Sequence, residues 1–226
     1  MNGLFTKTCV RVSVTAIDSY MYFLSQENMT VEELLVRLRG EEPPNTQMRI
    51  GSALHKALEN AQVGSVSYLD ADGYRFLIQP NVELELPALR EFKLEGEYQI
   101  SDSLSIELVG KVDAFHGNTV WDHKSTGRFN ADRLLEGYQW RFYLDLTGAD
   151  VFQWNVFEVD QENWSQLDGL TAFNVFGFHT LRQYRYKGME QDCRDKLKEF
   201  AGFLGLDKMR PSADYCTLQN LLRANR

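Results

Sequence analysis

The sequence predicts a mixed α/β domain, because segments with helical periodicity and segments with strand periodicity alternate along its 226 residues. Apolar residues recur at helical spacing near the N-terminus and in the C-terminal half, whereas the period changes to two between about residues 66 and 123. Hydrophobic residues make up 43% of the chain and charged residues 25%, the balance of a globular protein with a buried core. We therefore expect one domain over residues 1–226, with a central mixed β-sheet flanked by helices.

Helices are expected on both sides of the strand-rich middle of the chain. Thr30 and Glu33 have the spacing of a capping box at the start of the second helix, and Gly40 ends that helix. Gly148 ends a long helix in the same way. The predicted helices cover residues 15–26, 30–40, 48–60, 131–148, 189–205 and 217–225.

Strands are expected where apolar and polar residues alternate between turn residues. Asp72-Gly73 is one such turn, and Gly117-Asn118 is a dipeptide that favours a tight hairpin. The predicted strands cover residues 65–78 with the first turn inside them, then 82–86, 91–100, 104–115, 119–123, 151–159 and 173–187.

Charge and composition argue against several classes of protein. The net charge of −8 argues against nonspecific coating of nucleic acid, although acidic site residues would contribute to that charge. No apolar run approaches the ~18 residues of a membrane span, and the N-terminus lacks a clean secretory pattern, so a cytoplasmic location without a membrane partner is expected. The spacing of Cys9, Cys193 and Cys216 supports neither a disulfide framework nor a zinc module.

Acidic residues lie on both arms of the predicted hairpin around Gly117-Asn118. A two-residue loop there places Asp113 opposite Asp122, with their Cβ atoms roughly 4.5–5.5 Å apart. Lys124 follows Asp122 by two residues, so its side chain leaves the same face of the strand. A cation, or a proton shared between the acids, would relieve their repulsion.

Two alternatives remain for this hairpin. A three-residue loop would place Asp113 opposite Trp121, although a bulge could restore the pairing of the acids. The acids and Lys124 could also form a solvent-exposed face without a site.

Two helices carry further candidate residues. His55 and Glu59 share one face of the third helix and border its apolar row, where a packed histidine without a functional role is the alternative. Gln139 and Tyr143 are also four residues apart, and a helix edge with a half-buried tyrosine is the alternative for them.

In this combination the chain resembles the PD-(D/E)XK nucleases, and within them the RecB-like exonuclease branch, over about residues 15–160. Val112 stands where the family motif often has proline, and Glu97 matches an acid often found in the preceding strand. The other matching residues are Gly51, His55, Asp113, Asp122, Lys124, Gln139 and Tyr143.

The resemblance implies a restriction-endonuclease-like core, which residues 161–226 would complete with a strand and helices. It implies a metal-dependent DNA nuclease, more specifically an exonuclease of replication, recombination or repair, and it is compatible with a phage origin. DNA would be the substrate, and a replication or recombination protein could be a partner. A catalytically inactive relative that binds DNA or a protein is the alternative, and an unrelated α/β protein with an exposed acidic patch is a third reading.

The resemblance also implies roles for the matching residues. One or two Mg²⁺ or Mn²⁺ ions would be held by Asp113, Asp122 and the backbone carbonyl of His123, and His55 as a nitrogen ligand would favour Mn²⁺. Lys124, with a lowered pKa, would position water or neutralise phosphate charge.

The remaining candidates support these residues. Gln139 would orient the attacking water or Lys124, and Tyr143 would stack on a base or pack. Glu59 and Glu97 are further candidates for metal binding or for supporting the ligands. Because some relatives hold an iron–sulfur cluster with four cysteines, the three cysteines here predict no cluster.

A basic and aromatic strip near residues 181–188 could bind a nucleic-acid strand, since cations contact phosphates and aromatic rings stack on bases. A solvated strand with packed aromatic residues is the alternative. Arg128 could add to the same basic surface. The strip residues are Arg182, Tyr184, Arg185 and Lys187.

Overall fold

The computed structural model describes residues 7–62, 67–79, 84, 86–209 and 215–225. The predicted strand at 82–86 lies largely outside the described residues, as do residues 65 and 66 of the preceding one. Among the described residues, no helix is long and apolar enough to cross a membrane.

The described strands form one mixed sheet. Its order is β10-β1-β5-β6-β7-β9-β3-β2, with β4 paired to β5 and β8 paired to β9. The β1–β5 and β6–β7 pairs are parallel, whereas the β4–β5, β5–β6 and β7–β9 pairs are antiparallel. The strands are β1 (Thr8–Ser13), β2 (Tyr68–Ala71), β3 (Tyr74–Ile78), β4 (Leu89–Gln99), β5 (Leu104–His116), β6 (Thr119–Thr126), β7 (Val151–Val159), β8 (Ser165–Leu167), β9 (Leu170–Tyr184) and β10 (Tyr215–Thr217).

Helices flank the sheet through two apolar clusters. Ile50 and Leu54 of α3 pack with Phe76 and Phe173 of the sheet in one cluster. The larger cluster joins α1, α2, α5, α6 and α7 to the central strands. The mixed α/β fold expected from the sequence is therefore confirmed. The helices are α1 (Val14–Ser25), α2 (Val31–Leu38), α3 (Thr46–Asn60), α4 (Ala131–Glu136), α5 (Gln139–Thr147), α6 (Met189–Leu204) and α7 (Leu218–Ala224).

The hairpin between β5 and β6 has the predicted two-residue turn. His116 pairs with Thr119, and the next two pairs end at Ala114 and Trp121. Gly117 has a φ of 59°, which a residue without a Cβ adopts readily. Backbone pairing of the two strands stops at Ala114 and Trp121, one residue before Asp113 and Asp122.

Several element predictions need correction. The helix predicted at 131–148 is two helices, α4 and α5, because Gly137 has an extended backbone with ψ 155°. Glycine is a poor helix former, so the helix is readily interrupted there. Strands β1, β8 and β10 were not predicted, although Val10 and Val12 alternate with polar residues in β1. Strand β9 ends at Tyr184, three residues before the predicted end, and the chain turns into α6.

Helix α5 approaches β5 most closely at Gly110. A Cβ at this position would overlap Cε1 of Tyr143 and lie 3.2 Å from Cγ2 of Val14. The Tyr143 ring cannot easily move, since it stacks on Phe152 and its hydroxyl donates to the Lys111 carbonyl at 3.1 Å. The contact between α5 and the sheet therefore requires glycine at residue 110.

We predict that Gly110→Ala lowers the free energy of unfolding by about 1–3 kcal/mol, because an added methyl group overpacks this contact. Urea denaturation measures the change. Gly202→Ala is the matched control, since Gly202 is exposed in α6 with no atom within 4 Å of an added Cβ. It should stabilise the protein by about 0.4–1 kcal/mol. Equal effects of the two substitutions would contradict the close packing at Gly110.

Candidate metal centre

Three side chains from different elements form a cluster of possible metal ligands. One ligand atom from each of His55 on α3, Glu91 on β4 and Asp113 on β5 lies within 4.8 Å of the others. His55 Nδ1 is 3.0 Å from Asp113 Oδ1. One imidazole nitrogen and two carboxylates suit a first-row divalent cation such as Mn²⁺.

Helix α3 brings His55 to the sheet while keeping its ring accessible. Leu54 and Leu58 bury the inner side of the helix, and the His55 side chain remains 31% exposed. Gly51, one turn earlier, allows a close approach, because a Cβ there would lie 3.2 Å from Ser125 Oγ on β6. His55 is therefore placed at the acidic residues rather than in the apolar core.

Glu91 is a candidate ligand that was not predicted from the sequence. Its strand neighbours Arg90 and Phe92 pair with Ala114 and Val112, so Glu91 lies opposite Asp113 in the β4–β5 register. Its φ of 57° is uncommon for a residue with a side chain, and such backbone strain often occurs at functional sites. Its carboxylate is 13% exposed and forms an ion pair with the Lys111 ammonium.

Glu97, which the resemblance indicated, lies elsewhere. It is paired with Glu107 on β5, six residues from Asp113, and its carboxylate accepts from Lys7 Nζ at 2.6 Å. The antiparallel register of β4 and β5 is the signal that selects Glu91 over Glu97, and it cannot be fixed from the sequence of β4 alone.

Asp122 and Lys124 form the second part of the site. Lys124 Nζ lies 2.9 Å from Asp122 Oδ2 and donates to Gln139 Oε1 at 3.1 Å. Gln139 is the first residue of α5, so the start of that helix contacts the lysine directly. The structure thus brings Asp122 and Lys124 together, as their spacing predicted, and places Gln139 beside Lys124, as the resemblance implied.

The Asp113 carboxylate connects the two parts of the site. Its Oδ1 contacts His55, and its Oδ2 accepts the His123 backbone N–H at 2.5 Å. Burial alone would raise the pKa of Asp113, but the hydrogen bond and the charge of His55 outweigh it and hold the pKa below its usual value. Asp113 is therefore ionised at neutral pH.

Asp122 has the opposite shift. Burial raises its pKa from 3.8 to about 6; the positive charge of Lys124 opposes this shift, and the negative charge of Asp113 adds to it. The two carboxylates therefore influence each other, as the expected repulsion requires.

The pKa of Lys124 is raised, which corrects the expected lowering. Burial acts to lower it, but the negative charges of Asp122, Asp113 and Asp18 outweigh burial. Without a bound cation, the lysine is thus firmly protonated.

The His123 ring is buried between neighbouring rings. Its centroid is 6.4 Å from that of His55 and 5.9 Å from that of Phe157. Burial lowers the pKa of His123 to about 4, so the imidazole is neutral. The ring packs at the site, and the ligand role considered for His123 concerns its backbone carbonyl alone.

Two other candidates, Tyr143 and Glu59, lie in different surroundings. Tyr143 is 3% exposed and packs in the core, so its ring is not available to stack on a base. Glu59 is exposed and lines a pocket that His55 and Glu91 also line; this pocket is smaller than the cleft on the lysine side of the site.

A large cleft adjoins the lysine side of the site. It encloses about 1330 Å³, and Lys124, Gln139 and Arg128 line part of it. The cleft therefore leads from solvent to the lysine. The cleft is also lined by one further basic residue and by aromatic residues, which are Arg133, Tyr22, Phe129, Trp140 and Trp154.

The predicted basic strip lies away from this cleft. Tyr184 is at the end of β9 that adjoins the β5–β6 turn. Arg182 Nε donates to Gln153 Oε1 at 2.7 Å, and Arg185 Nε donates to the Ala149 carbonyl at 2.9 Å. The arginines therefore have structural partners. None of the four residues of the predicted strip lines the described cleft; they are Arg182, Tyr184, Arg185 and Lys187.

Comparisons with known proteins give partial similarities of fold. No protein-family model matches the chain, and no curated protein matches it. The structure of an alkaline exonuclease, LHK-Exo from Laribacter hongkongensis, aligns over 95% of this chain and 93% of that one, with 12% identity and a TM-score of 0.39. A phage-related exonuclease from Haemophilus somnus 129PT aligns over 89% and 97%, with 11% identity and a TM-score of 0.44.

A third solved structure, that of SSO0001, aligns over 86% of this chain and 76% of that one, with 14% identity and a TM-score of 0.47. At these values the three similarities concern the fold alone. The roles of the site residues are therefore argued from the geometry of this chain.

Proposed function

We propose that this protein is a divalent-metal-dependent deoxyribonuclease of the PD-(D/E)XK superfamily, acting as an exonuclease. The observation that carries the proposal is the cluster of His55, Glu91 and Asp113 donors beside a protonated lysine at the wall of an open cleft. Hydrolysis of a phosphodiester requires cationic groups where negative charge develops. Lys124 lines both the large cleft and the smaller pocket, and His55, Glu91 and Asp113 line that smaller pocket.

The residues present fit a divalent cation. His55, Glu91 and Asp113 would hold it, with Asp122 adding the second carboxylate of the sequence motif and His123 a backbone carbonyl oxygen. The nitrogen ligand favours Mn²⁺, and the carboxylates also accept Mg²⁺. A bound ion would act as a Lewis acid on a phosphate oxygen and lower the pKa of water.

Lys124 would act on the phosphate directly. Its ammonium is held by Asp122 at 2.9 Å and by Gln139 at 3.1 Å, so its position is fixed before substrate binds. A protonated lysine there neutralises charge on a non-bridging phosphate oxygen and can hold a water molecule by hydrogen bonding.

The cleft would admit the nucleic-acid end. Arg128 and Arg133 offer positive charge to the backbone, and Tyr22 and Phe129 offer rings to unstacked bases. The chain has a net charge of −8, so it would bind DNA through this local positive surface. A bound cation would also offset the negative charge of the site carboxylates. Such an exonuclease would serve DNA replication, recombination or repair in the cytoplasm of a cell or of a phage-infected host, with proteins of those processes as partners.

The raised pKa of Asp122 predicts a pH dependence of stability in the absence of metal. The folded protein binds this proton more tightly than the unfolded chain, so the stabilisation is present below pH 3.8 and is lost as the pH rises through about 6. The unfolding free energy of Asp122→Asn relative to wild type should therefore increase between about pH 4 and pH 7. Urea denaturation in a chelator measures it, and a difference independent of pH would contradict the assignment.

Two substitutions separate the proposed roles in catalysis. Asp122→Asn removes a charge that attracts the cation, so both Mn²⁺ affinity and DNA cleavage should fall sharply. Lys124→Ala should retain Mn²⁺ binding and DNA binding in Ca²⁺ but lose about 10²–10⁴-fold in cleavage rate, because it removes only help to the reaction. End-labelled linear and circular DNA, single- and double-stranded, with Mn²⁺ or Mg²⁺ measures cleavage.

Lys198→Ala is the matched control for the lysine, since Lys198 is exposed on α6 and pairs with Asp195 at 3.7 Å. It should cleave like the wild type. Cleavage of circular DNA as fast as linear DNA would contradict an exonuclease. Full activity of Asp122→Asn would contradict the mechanism, and absence of cleavage by the wild type with every ion and substrate would contradict the function.

A further inference from the structure

Asp18 on α1 contacts the beginning of α5 from outside that helix. Its Oδ1 accepts the Gln139 backbone N–H at 3.1 Å. Asp18 also lies at the wall of the cleft. It is therefore a carboxylate at the point where α1, α5 and the cleft meet.

Helix α5 has no side-chain cap of its own. Tyr138 stands at its N-cap position and makes no capping hydrogen bond through its side chain. The first N–H groups of a helix need external acceptors, and a negative charge at this end interacts favourably with the helix dipole. Asp18 supplies the acceptor from a residue 121 positions away in sequence. Burial raises the pKa of its carboxyl, and the charge of Lys124 and the backbone hydrogen bonds oppose this rise.

The capped residue is also the residue that holds the lysine. The Gln139 backbone donates to Asp18, while the Gln139 side chain accepts from Lys124 Nζ. Lys124 in turn contacts Asp122. A shift in the first turn of α5 would therefore change the position of the ammonium relative to the carboxylates.

The other end of α5 is held independently of Asp18. Asp145 Oδ2 accepts the Tyr98 hydroxyl at 2.5 Å, and Phe142 and Leu144 are fully buried. Loss of Asp18 should therefore leave the helix folded and displace only its beginning.

We propose that Asp18 is a positioning residue, which caps α5 so that Gln139 fixes Lys124 for the reaction. This inference rests on the proposed nuclease function. A displacement of about 1 Å in a positioned group can lower a rate by about 10²-fold, so the effect on kcat should be measurable.

The test compares Asp18→Ala, Asp18→Asn and the control Asp145→Ala. Asp18→Ala should lower kcat for DNA cleavage by about 10- to 100-fold with KM nearly unchanged. Asp18→Asn keeps an acceptor oxygen and should restore most of kcat. Asp145→Ala removes the Tyr98 contact at the far end of the same helix, so it should lower the melting temperature while kcat stays near that of the wild type.

Nuclear magnetic resonance gives a readout independent of activity. In Asp18→Ala, the Gln139 backbone amide should lose protection from hydrogen exchange, and the Gln139 side-chain amide signals should shift. In Asp145→Ala, both should be retained. This measurement remains valid if the wild type cleaves no DNA, a result that would count against the proposed function and not against the contact.

Two results would overturn the inference. One is unchanged kcat in Asp18→Ala of an active enzyme, together with unchanged Gln139 signals. The other is an equal loss of kcat in Asp18→Ala and Asp145→Ala, with no recovery in Asp18→Asn, which would show that any loosening of α5 has the same effect.

Discussion

The arrangement of the site depends on the hydrogen bonds of the Asp113 carboxylate. It lies where β5 and β6 stop pairing, accepts the backbone N–H of His123 on β6, and contacts His55 on α3. In the β4–β5 register it is opposite Glu91. One side chain thus joins the strand that carries Asp122 and Lys124 to two neighbouring elements. Because β5 and β6 are no longer paired beyond Ala114 and Trp121, the His123 backbone N–H can donate to Asp113 Oδ2.

The charges around this carboxylate explain why the site suits a cation. Asp113, Asp122 and Glu91 are little exposed, and burial of carboxylates is unfavourable unless positive charge or hydrogen bonds compensate. Lys124, Lys111 and His55 supply that compensation in the protein alone, and the raised pKa of Asp122 shows that it is incomplete there. A divalent ion would supply the rest. The opposite pKa shifts of two neighbouring acids are typical of functional sites.

Local sequence signals were sufficient for much of the fold and part of the site. The Gly117-Asn118 turn determines the register of β5 and β6 as far as Ala114 and Trp121. It thereby places Asp113 next to the strand that carries Asp122 and Lys124, where its Oδ2 accepts the His123 backbone N–H. The apolar row of α3 determines which side of that helix faces the sheet, which leaves His55 at its border. In each case a single element or a tight turn carries the information, so no long-range pairing had to be known.

The remainder depends on contacts between distant parts of the chain. Glu91 is selected by the pairing of β4 with β5 and by an uncommon backbone conformation, whereas the resemblance indicated Glu97. The break between α4 and α5 depends on Gly137 and on the cap that Asp18 provides from α1. The pKa of Lys124 was misjudged because the sum of three nearby negative charges outweighs burial, and only the folded structure shows that sum.

The most direct test of the account is a Mn²⁺ titration followed by the melting temperature of wild type, Glu91→Gln and Glu97→Gln. A ligand that binds only the folded state stabilises it, by about 2.7 kcal/mol at a hundredfold excess over Kd. The account predicts a rise of several degrees for the wild type and for Glu97→Gln, and a much smaller rise at the same Mn²⁺ concentration for Glu91→Gln. An unchanged melting temperature of the wild type, or equal rises in all three proteins, would contradict a metal centre at His55, Glu91 and Asp113.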